Sequence, residues 1–550
     1  MKSDPVHLSG FERLLSLITR IRPGEGRAAL LFFLHGFLLL ASYQMVKALR
    51  EAFMLAKFSA EVRAYAVALM ALVLMLVVPL YGRVRHHLDG ARLLRVVTLF
   101  FMLTLPLFAL LDHYQLPIAI PFFIWVGIYG VMAVSQLWAF AADTFNVKSG
   151  QRLFVVIMLG ANLGALAGAK ATQLAVGSLS PIGLMVVAAC TLGATLFLAG
   201  PARAAVPDAS RAVADEYTRP LPKLFGGIGL VLRDRYLLLI AVFVVALNWI
   251  NSTGEFILAD FVKADATAHV AASGGDLGAH IAAFYGNFQF WVTLISLAIQ
   301  LVLVSHIYQA VGVRGALLVQ PVIVTVGYGL LVFAPLIGGF IPIFSLIRRI
   351  KFAENGFDYS LMNTTRQALF LPVDRDSKYD GKTAIDTFFW RFGDLIQAVG
   401  VYIGLNLYGW KAHQFALLNL VLSLGWIALS WMVGRGYSRK SLQVVTNTAP
   451  VAVEPIPDLL YHPGKAFSHP IAPTTFRDAD PGDVLVLHAH CEDGRPLPHW
   501  LRFHHWEPAF VGKGPVEVEF TELRITVIAS DMDGLKAHST FSARRVNLTT

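Results

Sequence analysis

The chain has 550 residues, of which 56% are hydrophobic and only 15% charged, and its mean hydropathy is +0.60. A soluble globular chain carries about 25% charged residues, so a cytosolic enzyme, a disordered protein and a secreted disulfide scaffold are all disfavoured against a chain built for lipid. The net charge of +9 reads first as membrane topology, because Lys and Arg collect in cytoplasmic loops, and nucleic acid is not an expected partner.

Residues 1–27 read as a cytoplasmic tail. Lys2, Arg13, Arg20 and Arg22 alternate with Asp4, Glu12 and Glu25, and no cleavage site closes the apolar run that follows, so this is no secretory signal. A span needs about 20 mainly apolar residues. In chain order such runs occur near 28–50, 62–82, 93–112, 117–141, 153–174, 179–200, 236–262, 281–305, 314–335, 338–361, 385–407 and 413–434. The first six form one group, 28–200, and the last six another, 236–440. Between them lies a basic loop, 201–235, with Arg203, Arg211, Arg219, Lys223, Arg233 and Arg235. This predicts an all-α polytopic membrane protein of about 12 transmembrane helices in a 6+6, major facilitator-like arrangement. Basic residues also mark the loop with Arg83, Arg85, Arg92 and Arg95 and the tail with Arg435, Arg439 and Lys440, whereas 113–116, 175–178 and 336–337 hold no Lys or Arg. Both termini are therefore expected in the cytoplasm, in a bacterial inner membrane. Residues 441–457 read as a Thr-, Val- and Pro-rich linker. Residues 458–548 alternate in short runs such as VLVLHAH, separated by turns such as EDG, which predicts a small β-sandwich.

Charges inside spans are costly, about 2.5–3.5 kcal/mol each on insertion scales, and persist where they meet a wet cavity or a partner. Span 1 ends with Lys47, Arg50 and Glu51. Span 4 ends with Asp143, and span 5 carries Asn162 and Lys170. Glu255 sits deep in span 7. Span 10 is the densest, with Arg348, Arg349, Lys351, Glu354 and Asp358, and span 11 holds Asp386, Arg391 and Asp394. The reading is a central cavity of both signs, with cations suited to an anionic solute because Arg forks pair with phosphate or carboxylate. Glu255 is expected to balance a cation such as Arg348 or Arg391. Gly160, Gly164 and Gly168, four residues apart, are expected to let helices approach closely. No Walker A pattern is present, so ATP hydrolysis is not the power source, no cofactor is expected, and the chain reads as a non-enzyme. The two cysteines, Cys190 and Cys491, build neither a disulfide framework nor a metal site.

The segment SQLWAFAADTFNVKSGQRLFVVIMLGANLGALAG resembles the span 4–5 region of the ATP/ADP translocases of bacteria and plastids. There Asp143 stands at a family Glu, and Arg152 and Asn162 match. VKALREAF is similar to the family's L-K-D-T-L, with Arg50 at the Lys and Glu51 at the Asp. NSTGEF places Glu255 at a family Glu. FDYSLMNTTRQALFLPVDRDSKYDGKTAID resembles the family's span 10–11 block, matching at Tyr359, Ser360, Pro372, Asp374, Gly381, Lys382 and Asp386. The resemblance implies an antiporter for a nucleotide or other anionic solute. It implies a site drawn from Lys47, Arg50, Glu51, Asp143, Asn162, Glu255, Arg348, Lys382, Asp386 and Arg391. The exchanges of Lys for Arg, Asp for Glu and Glu for Asp keep charge but change reach.

The tail, with FRDADPGDVLVLHAHCEDGRPLPHWLRF and LRITVIASDMDG, is similar to dystroglycan-type cadherin-like, immunoglobulin-like domains. Trp500 is implied as an interior residue, and a protein partner for this domain is an open expectation. Asp478, Asp480 and Asp533 read as turn formers, with calcium as the alternative. Two other functions stay open: a proton-coupled carrier of a different organic solute, and a non-transporting membrane scaffold or sensor.

Overall fold

Within lipid no water satisfies backbone N–H and C=O groups, so long apolar segments close their hydrogen bonds as helices. The computed structural model describes residues 24–87, 90–207, 224–334, 342–374, 377–445, 448–479, 485–504, 508–515, 522–531 and 534–546, with positions 12, 19, 21, 22 and 210. Among these, nine helices are long and apolar enough to cross a membrane. Span 1 is Gly26–Lys57, span 2 Ala60–His87, span 3 Gly90–His113, span 4 Ala119–Thr144, span 5 Val147–Ala175, span 6 Pro181–Ala204 and span 7 Arg235–Ser273. The continuous stretch Leu277–Phe333 is two spans, 8 and 9, folded back at Gly312, whose φ of 63° and ψ of −173° suit a residue without Cβ. Span 10, residues 343–368, and span 11, residues 377–407, are interrupted by π-helical turns at Asp358–Met362 and Ile385–Phe389. Span 12 is Ala412–Val445. Nine candidates, one of them double, together with the two interrupted passages make twelve.

Several helices outrun their apolar cores. Span 1 continues to Lys57, so Lys47, Arg50 and Glu51 lie within the helix and not at its end. Span 12 runs through Lys440 to Val445, into the stretch read as linker. Of the basic central loop, Arg211, Arg219 and Lys223 lie outside the described residues, and Leu224–Arg233 is a short helix.

Span 5 lies against span 1 along its glycines. A Cβ on Gly160, Gly164 or Gly168 would stand 2.3, 2.0 or 2.2 Å from the carbonyl oxygen of Phe33, Phe37 or Ala41. The spacing of four places these three positions on one face, where two backbones meet directly. Just before span 1, Glu25 is 1% exposed. It accepts from both terminal nitrogens of Arg152 at 2.9 and 2.8 Å, from the Ser210 hydroxyl at 2.7 Å and from the Arg22 amide at 2.8 Å. Burial pushes this carboxyl up, but the Arg152 fork and the other donors outweigh it and hold it below the usual range. The chain entering span 1 is thus tied to the first turns of span 5.

The two six-helix groups meet where spans 1 and 5 pack on span 8 and span 2 packs on span 11. At the end of the unit where span 1 finishes, Lys263 of span 7 donates to the carbonyl of Phe58 at 2.6 Å. There Asn406 of span 11 also donates to Glu61 of span 2 at 2.7 Å. We call this the clasped end.

The chain divides into two units, Met1–Ser438 and Arg439–Thr550. In the second, the strands are β1 Val451–Ala452, β2 Leu459–Tyr461, β3 Ala466–Pro470, β4 Phe476–Arg477, β5 Val486–Cys491, β6 Leu501–His504, β7 Ala509–Lys513, β8 Glu522–Ser530 and β9 Lys536–Arg545. They form a four-stranded sheet, β2-β9-β8-β5, a three-stranded sheet, β3-β7-β6, and the pair β1-β4. Phe510 of β7 meets Phe541 of β9 at 5.1 Å between ring centroids, so the two larger sheets share one core with Ile525 and Val527. Trp500 is half-buried beside Tyr461. Asp480 and Asp533 lie outside the described residues.

The glycine contact gives a direct test. Gly164→Ala places a methyl on the Phe37 backbone, and overpacking costs about 1–3 kcal/mol. The thermal midpoint of the purified chain should fall by several degrees, whereas Gly177→Ala, whose Cβ would meet nothing within 4 Å, should leave it in place.

Candidate functional site

A helical carboxylate or guanidinium placed among apolar side chains must find an opposite charge, since removing one partner of a buried pair costs about 3–5 kcal/mol. Glu51, 3% exposed on span 1, has two such partners. Arg50 reaches it at 2.5 Å and Arg63 of span 2 at 2.6 Å. The Arg50 guanidinium also lies over the Phe123 ring at 4.5 Å. Arg63 then faces the other six-helix group, where its terminal nitrogen stands 3.9 Å from Glu255 of span 7.

Glu255 continues the sequence of charges. Its carboxylate is 3.3 Å from the Lys351 ammonium and accepts from Asn355 at 3.1 Å. Lys351, fully buried on span 10, lies 3.2 Å from Glu354 and donates to the Asn251 side chain at 2.7 Å. Glu354 accepts from the Tyr328 hydroxyl at 3.3 Å. Helical spacing makes this possible: Asn251 and Glu255 are four apart on span 7, and Lys351, Glu354 and Asn355 lie three and four apart on span 10. Gly254 supplies the room. A Cβ there would stand 2.1 Å from the Tyr328 hydroxyl and 3.2 Å from the Lys351 nitrogen.

The result is a row, Arg50–Glu51–Arg63–Glu255–Lys351–Glu354, of alternating sign that crosses from one six-helix group to the other. Its formal charges cancel. Lys47 stands beside it as a surplus cation. It donates to Gln289 of span 8 at 3.1 Å, lies 5.8 Å from the Tyr359 ring centroid, and has no carboxylate within ion-pair distance among the described residues.

Four of the residues singled out from the sequence, Lys47, Arg50, Glu51 and Glu255, come together here. The cations balancing Glu255 are Lys351 and Arg63, in place of the anticipated Arg348 or Arg391. Arg391 instead lies 3.7 Å from Asp394, which accepts from the Ser252 hydroxyl at 2.7 Å. Arg348 is half-buried on span 10 with its Nε unpartnered. Asp143 is exposed near the end of span 4, and Asn162 is half-buried on span 5; neither makes a described contact with the row. Lys382 and Asp386 lie on span 11, apart from the row. Arg63 escaped the sequence reading because a lone cation at the start of an apolar run looks like an interface residue. The cue was available in the two-residue connection Phe58–Ser59, which folds span 2 back so that Arg63 faces Glu51.

Comparison with known proteins bears on both units. The model of the TLC ATP/ADP transporter family matches residues 209–434, and the He_PIG model of an Ig domain matches residues 449–545. The chain is 22% identical over 298 residues to ADP,ATP carrier protein 1 of Chlamydia trachomatis serovar D, covering 48% of this chain and 54% of that protein. It is 28% identical over 123 residues to the protein of the same name from Chlamydia pneumoniae, covering 20% of this chain and 24% of that one. The chain thus spans about half the length of these curated relatives, or less. Among solved structures, the POT family transporter PepTSo gives a TM-score of 0.54 at 12% identity, covering 76% of this chain and 99% of that one. The nucleoside transporter NupG gives 0.50 at 12% identity, covering 75% and 99%. These likenesses show a major facilitator-like fold for the membrane unit. The TLC match covers the half that holds Glu255, Lys351, Lys382 and Asp386; Lys47, Arg50, Glu51 and Arg63 lie outside it.

Arg63→Met removes the cation shared by Glu51 and Glu255. The stability of the purified chain should drop by about 3–5 kcal/mol, read as a lower thermal midpoint. Adding Glu51→Gln should recover part of the loss, because the row then again holds as many cations as carboxylates.

Proposed function

We propose that this protein is a secondary carrier that exchanges anionic solutes, nucleotides foremost, across a bacterial inner membrane by alternating access. The observation that carries the reading is the neutral charge row with Lys47 beside it. An empty row is balanced within itself and ties the two helix groups through Arg63 and Glu255. An anion that takes Lys47 and Arg50 competes with Glu51 for its cation; Glu51 then draws Arg63 to itself and away from Glu255, which loosens the contact between the groups. Binding then shifts the population of states, by as much as the solute prefers the loosened form. An empty carrier, held by its own ion pairs, does not readily return, which favours exchange over net flow. The TLC match supports nucleotides as the solute class.

A proton-coupled carrier remains the second reading, on one observation: Lys351 serves two carboxylates, Glu255 and Glu354, at similar distance. In either case the basic loops favour a topology with both termini, and with them the Ig-like unit, in the cytoplasm.

The direct test is counterflow in proteoliposomes loaded with unlabelled ADP and given labelled ATP, ADP or orthophosphate outside. Labelled nucleotide should accumulate only in loaded vesicles, and failure of every anion in the screen defeats the reading. Arg50→Ala should lower apparent nucleotide affinity by roughly thirtyfold or more, the loss of about 2 kcal/mol or more for a buried charge-assisted pair, while Arg50→Lys keeps part of it. Glu255→Gln separates the two readings. A carrier that needs Glu255 as counter-charge loses counterflow, and one that uses it to carry a proton loses only gradient-driven uptake. For topology, a C-terminal reporter active only in the periplasm should stay silent, and a strong signal would place the Ig-like unit outside.

A further inference from the structure

Away from the charge row, where span 10 finishes and span 11 begins, two cations form no ion pair among the described residues. Arg366 has its guanidinium carbon 4.2 Å from the Trp390 ring centroid, and its Nε and one terminal nitrogen are buried without an acceptor. Lys382 has its ammonium 5.9 Å from the Phe370 ring centroid. Neither makes a hydrogen bond or ion pair among the described residues. Both lie within electrostatic range of Asp386, and Arg366 also of Asp358, yet neither carboxylate closes to ion-pair distance with them. Arg366 is about 20 Å along the axis from Lys351 at roughly 1.5 Å per residue, so this pair is separate from the row.

A buried donor left without an acceptor costs about 1–3 kcal/mol. Stacking on an indole returns about 0.5–2 kcal/mol, so two stranded donors are not offset by Trp390 alone. An oxyanion removes the deficit. The indole holds the plane of the guanidinium, which presents parallel donors to two oxygens of one phosphate group, and Lys382 adds a point charge.

We propose that Arg366 and Lys382 form a second oxyanion subsite, a vestibule for the phosphate-type group of the solute before it reaches the row. Lys382 is implied in the site by family resemblance; Arg366 and its pairing with Trp390 are read from the structure. The assignment of the oxyanion to a transported solute rests on the carrier reading above.

The test is isothermal titration of the purified full chain in detergent with inorganic pyrophosphate. Pyrophosphate should bind the wild type, and Arg366→Gln should weaken it about tenfold or more, as expected for loss of a charge-assisted fork. Arg366→Lys, which keeps the charge but not the fork, should fall between them; it carries the test if the Gln variant does not elute as a folded species. Lys57→Ala, at an exposed cation paired with Asp112 and outside both sites, should leave this binding essentially unchanged. No pyrophosphate binding by the wild type, wild-type binding in both Arg366 variants, or loss in Lys57→Ala as large as in Arg366→Gln would overturn the subsite. Displacement of pyrophosphate by phosphatidylglycerol at lower concentration would assign the oxyanion to a lipid headgroup and also overturn it. Counterflow keeps the two ideas apart. Pyrophosphate binding that depends on Arg366, in a chain that exchanges no anion, defeats the carrier reading alone. Nucleotide exchange with unaltered pyrophosphate binding in the Arg366 variants defeats the subsite alone.

Discussion

Arg63 stands between two carboxylates that belong to different halves of the molecule. It holds Glu51 within its own group of six helices at 2.6 Å and faces Glu255 of the other at 3.9 Å. The other two cations of the row are each placed by one of these two acids. Arg50 folds onto Glu51; Lys351 sits against Glu255 and passes the alternation to Glu354. In a low-dielectric interior such a row is stable only while each member has an opposite neighbour. Its weakest step is the longest one, between Arg63 and Glu255, and that step is the one that crosses between the two halves.

Such a contact needs rigid halves. The glycine face between spans 1 and 5 brings two backbones closer than any side chain allows; between the halves, Gly286 of span 8 lies close against span 5, with a Cβ there only 2.9 Å from the Gln173 amide nitrogen and 3.0 Å from the Ala169 carbonyl. Packed interfaces of this kind switch between discrete arrangements instead of deforming gradually. The clasp of Lys263 on Phe58 and Asn406 on Glu61 adds a second, weaker tie at one end. A solute that weakens the central contact therefore acts on a structure with a ready hinge plane between its halves.

Much of this was legible in the sequence. The twelve apolar runs, the break between the sixth and seventh, the glycine spacing and the alternating tail all follow from periods that lipid and sheet impose. Glu255 stood out because nothing else explains an acid so deep in an apolar run. Span ends were less legible, because ion pairs let span 1 continue past Arg50 and Glu51 where hydropathy alone would stop it. Partners were least legible. Lys351 lies among five other charges on span 10, and only the three-dimensional facing of spans 7 and 10, with the gap left by Gly254, selects it over Arg348. Arg366 was hidden for a different reason: its distinction is that its buried donors meet no acceptor among the described residues, which no sequence pattern records.

The central claim is that an anionic solute loosens the contact between the halves, and a distance measurement addresses it most directly. Ser59 and Tyr408 are exposed, one beside the end of span 1 and the other just past span 11, on opposite sides of the clasp. With Cys190 and Cys491 replaced by serine, cysteines at these two positions accept spin labels for pulsed electron resonance in proteoliposomes. A single short distance without solute, giving way to a second, longer population when ADP is added, is the predicted result, and Arg63→Met should show that longer population without ADP. A distance distribution that ADP leaves unchanged, in a preparation that binds ADP, would contradict the account.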